Sequence, residues 1–432
     1  MLSITIKETS SVRPARDTPG KRLWNSSLDL RMMPRNHVPV LYFYKPNGSA
    51  DFFRAQVLKE ALSNVLVPFY PMAGRLGRDE SGRIEIICNA EGALFIEAEA
   101  DGVLNDLSDF APSSQLQQLV PKVDYSRDIS SYPLLLIQVT TFKCGGISLG
   151  VCSHHTLADG SSVFHFINSW SKMARGHCLS ISPFIDRTIL QSLMLPAPTF
   201  HHVEFDPPPS MNTPISSLRS ACLFKITKDQ LNNLQAKSNK GGDTTRHSSY
   251  SILAAHVWRC VSKARGLSDD QPTKLYIQVN GRPRFRPPLP PGYFGNVILS
   301  ASTIALAGDL LSEPFSNTVE RIHKTLKQFD NAYLKSALTY MEKVPSKLTA
   351  LPGENTFQCP NLYINSLWRF PTYDVDFGWG RPIFLGRATI GEGKSYIQPS
   401  PTDDGSVTLM IGLEASHMKL FQTLFQKPIC KL

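Results

Sequence analysis

Between Leu134 and Gly176 the chain changes its hydrophobic period twice. Leu134–Phe142 reads as a long apolar strand, and the turn Lys143-Cys-Gly-Gly146 returns it as a hairpin. Ile147, Leu149 and Val151 then alternate with small residues, the pattern of a half-buried strand. Beyond a tight turn, Val163, Phe166, Ile167 and Trp170 fall on one helical stripe. Gly160, Ser161 and Ser162 supply the turn and an N-cap, and Gly176, after Lys172 and Arg175, ends the helix. His155 and Asp159 sit in the turn, where a strand meets a helix start. Rigid elements of this kind position a catalytic base better than loops do.

The remaining pattern predicts further α/β structure. Ser3–Glu8 reads as an edge strand and Leu41–Tyr44 as a strand preceded by His37-Val-Pro-Val40. A helix opens near Ser49 or Asp51, buries Phe53, Val57, Ala61, Leu62 and Val65 on one face, and closes at Pro68. Strands follow at Ile84–Cys88 and Leu94–Ala98, while the leucine pattern around Leu116–Leu119 is ambiguous. From about Ser180 to Ser217 prolines punctuate a stretch with no period, expected as a crossover between domains. Lys240-Gly-Gly-Asp243 reads as a mobile surface loop. A helix over Ser249–Arg265 buries Ile252, Leu253, His256 and Val257 or Trp258, and Leu275–Val279 is a strand. Asn280–Gly292 is a proline-locked basic loop, Val297–Ile304 a strand, and Pro314–Tyr340 one long amphipathic helix. Strands at Leu362–Leu367, Ile383–Leu385 and Val407–Gly412 are expected to complete a second sheet, with Ala415–Phe425 as the last helix.

A chain of 432 residues exceeds one ordinary core, so two domains are the default. The expected division is residues 1–180, a crossover linker over 181–217, and residues 218–432. Apolar residues at 42% and charged residues at 19% describe a globular protein. The opening Met1–Lys7 alternates like a strand, so no signal peptide is expected, and no apolar run is long enough to span a bilayer. The cysteines are scattered, with no Cys-x-x-Cys pair, which favours reduced thiols in the cytoplasm over disulfides or zinc. No metal is expected. A formal charge of +9 without a dense Lys/Arg run gives no support for nucleic acid, but suits an anionic ligand.

His-x-x-x-Asp alone is a common spacing. Its significance comes from a second stretch, Asp376-Phe-Gly-Trp-Gly380 followed by Arg381-Pro382. Together with His155-Thr-Leu-Ala-Asp159, and in this order, it resembles the plant BAHD acyltransferases, which use acyl-CoA to acylate alcohols or amines. Phe69-Tyr-Pro-Met-Ala-Gly-Arg75, Ala254-Ala-His-Val-Trp-Arg-Cys260 and Pro290-Pro-Gly-Tyr-Phe-Gly-Asn296 extend the resemblance along nearly the whole chain. Arg22-Leu-Trp-Asn25, Phe142-Lys-Cys-Gly-Gly146 and His165-Phe-Ile-Asn168 resemble the hydroxycinnamoyl-CoA shikimate/quinate hydroxycinnamoyltransferases, and rosmarinate synthases share this frame.

The resemblance implies two chloramphenicol-acetyltransferase-like α/β domains, each a mixed sheet with flanking helices, and an active-site channel at their interface. It implies no cofactor: acyl-CoA is a co-substrate and the partner is a small-molecule alcohol. The expected enzyme is a cytoplasmic monomer that neither inserts into membranes nor binds nucleic acid. His155 suits a general base because imidazole titrates near neutrality, whereas alternation turns His154 to the opposite face. Asp159 could pair with His155 as in a hydrolase triad; the resemblance instead pairs it with Arg282 and gives it a structural role. Trp379 matches a tryptophan that can donate to the oxyanion, Asn365 is a second candidate donor, and Arg369 matches an arginine that binds an acceptor carboxylate. His37, Val38, Val40 and Tyr42 match the acceptor pocket. Val38 and Val40 replace hydroxyl side chains of shikimate-using members, and Trp368 is displaced by one position from the usual tryptophan. These departures leave quinate or an arylated acid such as hydroxyphenyllactate open as acceptor, besides an amine; a catalytically silent ligand-binding paralogue is the rival from another class. Cys152 is three residues from His155 on one extended segment, which disfavours a thiol nucleophile. Ser153 lacks the Gly-x-Ser-x-Gly elbow. Direct transfer in a ternary complex is the expected route.

Overall fold

The structure, a computed structural model, describes residues 2–32, 37–107, 109–211, 218–238, 247–343 and 354–430. Its strands are Ile4–Val12 (β1), Arg22–Trp24 (β2), His37–Tyr44 (β3), Arg75–Arg78 (β4), Ile84–Ile87 (β5), Ala93–Ala100 (β6), Leu135–Phe142 (β7), Ile147–His154 (β8), Arg219–Ile226 (β9), Pro272–Asn280 (β10), Ile298–Leu306 (β11), Leu362–Ser366 (β12), Phe384–Gly386 (β13), Lys394–Pro399 (β14) and Val407–Glu414 (β15). Its helices are Ser27–Leu30 (α1), Ala55–Val65 (α2), Gly160–Ala174 (α3), Lys228–Ser238 (α4), Ser249–Ala264 (α5), Ala307–Ser312 (α6), Phe315–Gln328 (α7), Asn331–Lys343 (α8) and Ala415–Cys430 (α9).

The chain forms two compact units. The first comprises Met1–Met194, Pro287–Val297 and Phe370–Thr389; the second comprises Leu195–Arg286, Ile298–Arg369 and Ile390–Leu432. This differs from the expected division at residues 180 and 218. Residues 287–297 and 370–389 return to the first unit, so Asp376–Gly380, expected in the C-terminal domain, belongs there. The cause is strand pairing: Ile383 N–H donates to Phe43 O (2.7 Å), and Phe384 and Leu385 pair with Phe43 and Tyr42. Ile383–Leu385 therefore extends the first sheet, not the second. The proline-rich crossover is also divided. Its earlier part contains a 3-10 turn at Thr188–Leu193. Leu195, Thr199 and Phe200 donate backbone N–H groups to Thr339 and Ser336 hydroxyls within the second unit. Residues 212–217 and Lys240–Asp243 lie outside the described residues.

The first unit's main sheet runs β1-β6-β7-β8-β3-β13, beside a smaller β2-β5-β4 sheet. β8 is buried along its whole length between β7 and β3, both antiparallel to it. That explains why its sequence is apolar or small up to His154. A Cβ on Gly150 would stand 2.4 Å from Leu119 O, so the glycine admits the Leu116–Leu119 segment, which resolves as a 3-10 turn. α2 begins at Ala55, later than expected, with Leu58 rather than Val57 on its buried face. The second unit's sheet runs β11-β10-β12-β14-β15-β9. The predicted Pro314–Tyr340 helix is broken into α7 and α8. Arg284 donates to the carbonyls of Leu326 and Phe329, each at 2.8 Å, while Asp330 accepts from Tyr333 N–H (2.9 Å). These groups end one helix and start the next without proline or glycine.

Candidate active site

The turn after β8 carries the candidate base. His154 pairs with His37 across β8 and β3. It is fully buried, with its ring edge-on to His37 at 4.9 Å and stacked on Tyr132 at 6.0 Å. His155 is only partly buried. Its Nδ1 lies 3.2 Å from Asn296 Oδ1, and among the described residues Nε2 has no hydrogen-bond partner. The orientation of the Asn296 amide follows from its surroundings. Its Nδ2 faces Asp29 Oδ1 (2.9 Å), His155 O (2.8 Å) and Thr156 O (3.3 Å), all acceptors. The amide oxygen must then face the ring, so Nδ1 carries the proton and Nε2 keeps its lone pair. Burial holds the imidazole below its ordinary pKa against the opposing pull of Asp159 and Asn296. The neutral ring, which can accept a proton, is thus the form present at neutral pH.

Asp159 is the N-cap of α3, in place of the expected Gly160-Ser-Ser162. Its Oδ1 accepts from Ser162 N–H (3.1 Å) and its Oδ2 from Val297 N–H (2.9 Å). The same carboxylate thereby starts the helix and holds the returning 287–297 segment beside the turn. Arg282 belongs to the second unit, where its backbone N–H (3.1 Å) and guanidinium (3.4 Å) reach Asn280 Oδ1.

The roles expected of His37 and Trp379 are corrected. His37, expected to touch substrate, has its ring turned toward His154, on the opposite face from His155. Its Nδ1 takes the Tyr125 O–H at 2.8 Å and its Nε2 donates to Pro133 O at 2.9 Å, and burial lowers its pKa to about 4. It is a packed, neutral histidine. Trp379, expected to donate to the oxyanion, stands far from His155. Its ring lies on Phe53 (5.1 Å) and Phe52 (6.4 Å), and Phe53 lies on Tyr44. Tyr44 is at the opposite end of β3 from His37, about 23 Å away at ~3.3 Å per residue. The Asp376–Gly380 stretch is instead a stapled turn. Asp376 Oδ1 accepts from Gly378 N–H (2.7 Å) and Gly380 N–H (2.9 Å), both glycines at φ +105°. Phe377 then packs against Trp170 of α3 at 4.8 Å. We expect Trp379→Phe to change kcat by less than about threefold, against the 10²–10³-fold loss typical of a deleted oxyanion donor; steady-state kinetics decides.

Val38 and Val40 are half-buried and pair with Ser153 and Val151, on the face that leads to His155. Tyr42 shares that face but is fully enclosed, which removes it from direct contact with an acceptor. In the second unit, Asn365 is half-buried on β12, and Arg369 is exposed beyond it with no partner for its guanidinium among the described residues. Burial pushes the Cys152 thiol up to about 12, so it is no nucleophile at neutral pH. Among the described residues no cluster of His, Cys, Asp and Glu could hold a metal ion, and no helix is long and apolar enough to cross a membrane. The residues that sequence reasoning missed are Asn296, Asp29 and Arg187. Asn296 ends Pro290–Asn296, quoted above only for its resemblance; the capping-box spacing Ser26-x-x-Asp29 could have marked Asp29, and nothing local marks Arg187.

Residues 2–427 match the family described as the Transferase family. Shikimate O-hydroxycinnamoyltransferase of Nicotiana tabacum is 55% identical over 430 residues, covering 98% of this chain and 99% of that protein. Hydroxycinnamoyltransferase of Narcissus pseudonarcissus is 50% identical over 436 residues, with the same coverage. Among solved structures, vinorine synthase superposes with a TM-score of 0.75 at 22% identity, covering 97% of this chain and 96% of its own. At that identity the likeness speaks for the two-domain α/β fold alone.

Proposed function

This chain belongs to the Transferase family, the BAHD acyltransferases, and from that premise we propose that it moves a hydroxycinnamoyl group from CoA to a hydroxyl of shikimate, quinate or a related hydroxy acid. The observation that carries this proposal is the 55% identity to a shikimate O-hydroxycinnamoyltransferase over nearly the full length of both chains. The site supports it chemically. His155 Nε2 removes the acceptor's hydroxyl proton as the oxygen attacks the thioester carbonyl. The resulting oxyanion collapses, the C–S bond breaks, and the proton passes from His155 to the CoA thiolate. Asn365 is the proposed oxyanion donor and Arg369 the proposed partner of the acceptor carboxylate. The proposed enzyme is a cytoplasmic monomer without membrane insertion. Incubating it with p-coumaroyl-CoA and a panel of acceptors, and identifying products by mass spectrometry, tests the proposal. An ester of shikimate or quinate supports it; transfer only to amines, or none at all, refutes it.

Because burial lowers the His155 pKa, the proton that blocks Nε2 binds only below the ordinary histidine value. The kcat/KM profile should therefore stay level from pH 8 down to about 6.5 and fall only below that. An acid limb centred above pH 7.5 would contradict the assignment of His155 as the titrating base.

Val38 and Val40 favour a second acceptor reading. Half-buried apolar groups on the face leading to the base suit an arylated acid such as hydroxyphenyllactate better than a polyol. Val38→Thr with Val40→Ser should raise kcat/KM for shikimate relative to hydroxyphenyllactate by about tenfold, the scale of one or two new hydrogen bonds. Unchanged ratios in competition assays would place the two valines outside the acceptor's reach.

A further inference from the structure

A buried ion pair stands behind the base, on the side away from its free nitrogen. Asp29 Oδ1 accepts from both the backbone N–H (2.8 Å) and the side-chain N–H (2.9 Å) of Asn296. Its Oδ2 accepts the N–H (2.9 Å) and O–H (2.7 Å) of Ser26, which closes the capping box of α1. Arg187 Nη1 sits 3.3 Å from Asp29 Oδ1, with the two side chains 1% and 0% exposed. Arg187 also donates to Asn25 Oδ1 (2.7 Å), Thr156 O (3.3 Å) and Leu157 O. Thr156 and Leu157 are the two residues that follow His155. The pair therefore grips the base twice, through the Asn296 amide on its ring and through the backbone just beyond it. A buried ion pair is costly to desolvate and is weak evidence for stability by itself. Here its hydrogen bonds converge from four separate chain segments on the residue that must keep one tautomer.

We infer that Asp29, neutralised by Arg187, is a positioning residue of the acyl transfer: it holds Asn296 so that His155 carries its proton on Nδ1 and presents Nε2 to the acceptor. The inference rests on His155 being the base. With a carboxylate at position 29, reversing the Asn296 amide would set its oxygen against that anion as well as two carbonyls. An amide at position 29 removes that anion, which lowers the cost of the reversed Asn296 orientation and makes the unproductive tautomer accessible.

Asp29→Asn should lower kcat by about tenfold or more, leave KM for p-coumaroyl-CoA within about twofold, and move proton density on His155 from Nδ1 toward Nε2. The tautomer is read by long-range ¹H–¹⁵N correlation on histidine-labelled enzyme, with the His155 signal identified by its loss in His155→Gln. Asp29→Asn leaves Arg187 charged and buried, and it can unfold the chain. Asp29→Asn combined with Arg187→Gln removes both charges at nearly constant size and should reproduce the kcat loss and the tautomer shift in a folded protein. Wild-type kcat in the folded double variant, or a His155 proton that stays on Nδ1, overturns the inference and leaves the pair a purely structural tie. Failure of the base assignment is seen separately: His155→Ala would keep its turnover whatever the Asp29 variants do to the tautomer.

Discussion

His155→Ala is expected to fold as the parent chain does and to lose about 10²–10⁴-fold in kcat, the usual contribution of a positioned general base. Folding should survive because the ring is only partly buried and makes one side-chain hydrogen bond, to Asn296. His154, fully buried, edge-on to His37 and stacked on Tyr132, carries the packing at this corner. The expected signature is therefore a large fall in kcat with little change in thermal unfolding, and with donor KM nearly constant. The reverse pattern, an unfolded protein or near-normal turnover, would make His155 a structural histidine.

Arg369→Gln should raise KM for acidic acceptors by about ten- to a hundredfold. Charge-assisted hydrogen bonds contribute roughly 1.5–3 kcal/mol each, and each 1.4 kcal/mol is about tenfold in affinity. Two features favour this effect over that of an ordinary surface charge. The guanidinium is exposed in the turn three residues past the end of β12, and it has no carboxylate or carbonyl partner among the described residues. Glutamine keeps part of the length and the capacity to donate, which isolates the charge. Steady-state kinetics with shikimate, quinate and hydroxyphenyllactate is the measurement, beside neutral alcohols as controls. Equal changes for acidic and neutral acceptors, or a rise confined to donor KM, would remove the carboxylate contact.

The β7–β8 hairpin and α3 were legible because their periods are strong and local. A buried central strand, a glycine turn and a four-residue apolar stripe leave few alternatives, and they hold His155 in place. The break between α7 and α8 was not legible, because it depends on Arg284, far from it in sequence, taking the carbonyls at the end of α7. β13 spans Phe384–Gly386 only; so short a strand has no period that could name its sheet, and its pairing with β3 drew Asp376–Gly380 into the first unit. That pairing also explains why Trp379 was misread. Motif likeness ranks a residue by its neighbours in sequence, whereas distance from the base is set by which end of β3 it packs against. The Asp29–Asn296–Arg187 network escaped notice for a related reason: polar contacts joining residues 29, 155–157, 187 and 296 leave no repeating trace along the chain.

Thiol release from p-coumaroyl-CoA, followed from the first turnover with and without acceptor, tests direct base-assisted transfer most closely. With shikimate or quinate present, free CoA should appear in step with the ester, and His155→Ala should slow both together. Without an acceptor, the wild-type enzyme should release no stoichiometric burst of CoA, and its intact mass should show no attached acyl group. A burst equal to the enzyme concentration, with a coumaroyl adduct on the protein, would contradict attack by the acceptor hydroxyl itself and replace it with an acyl-enzyme.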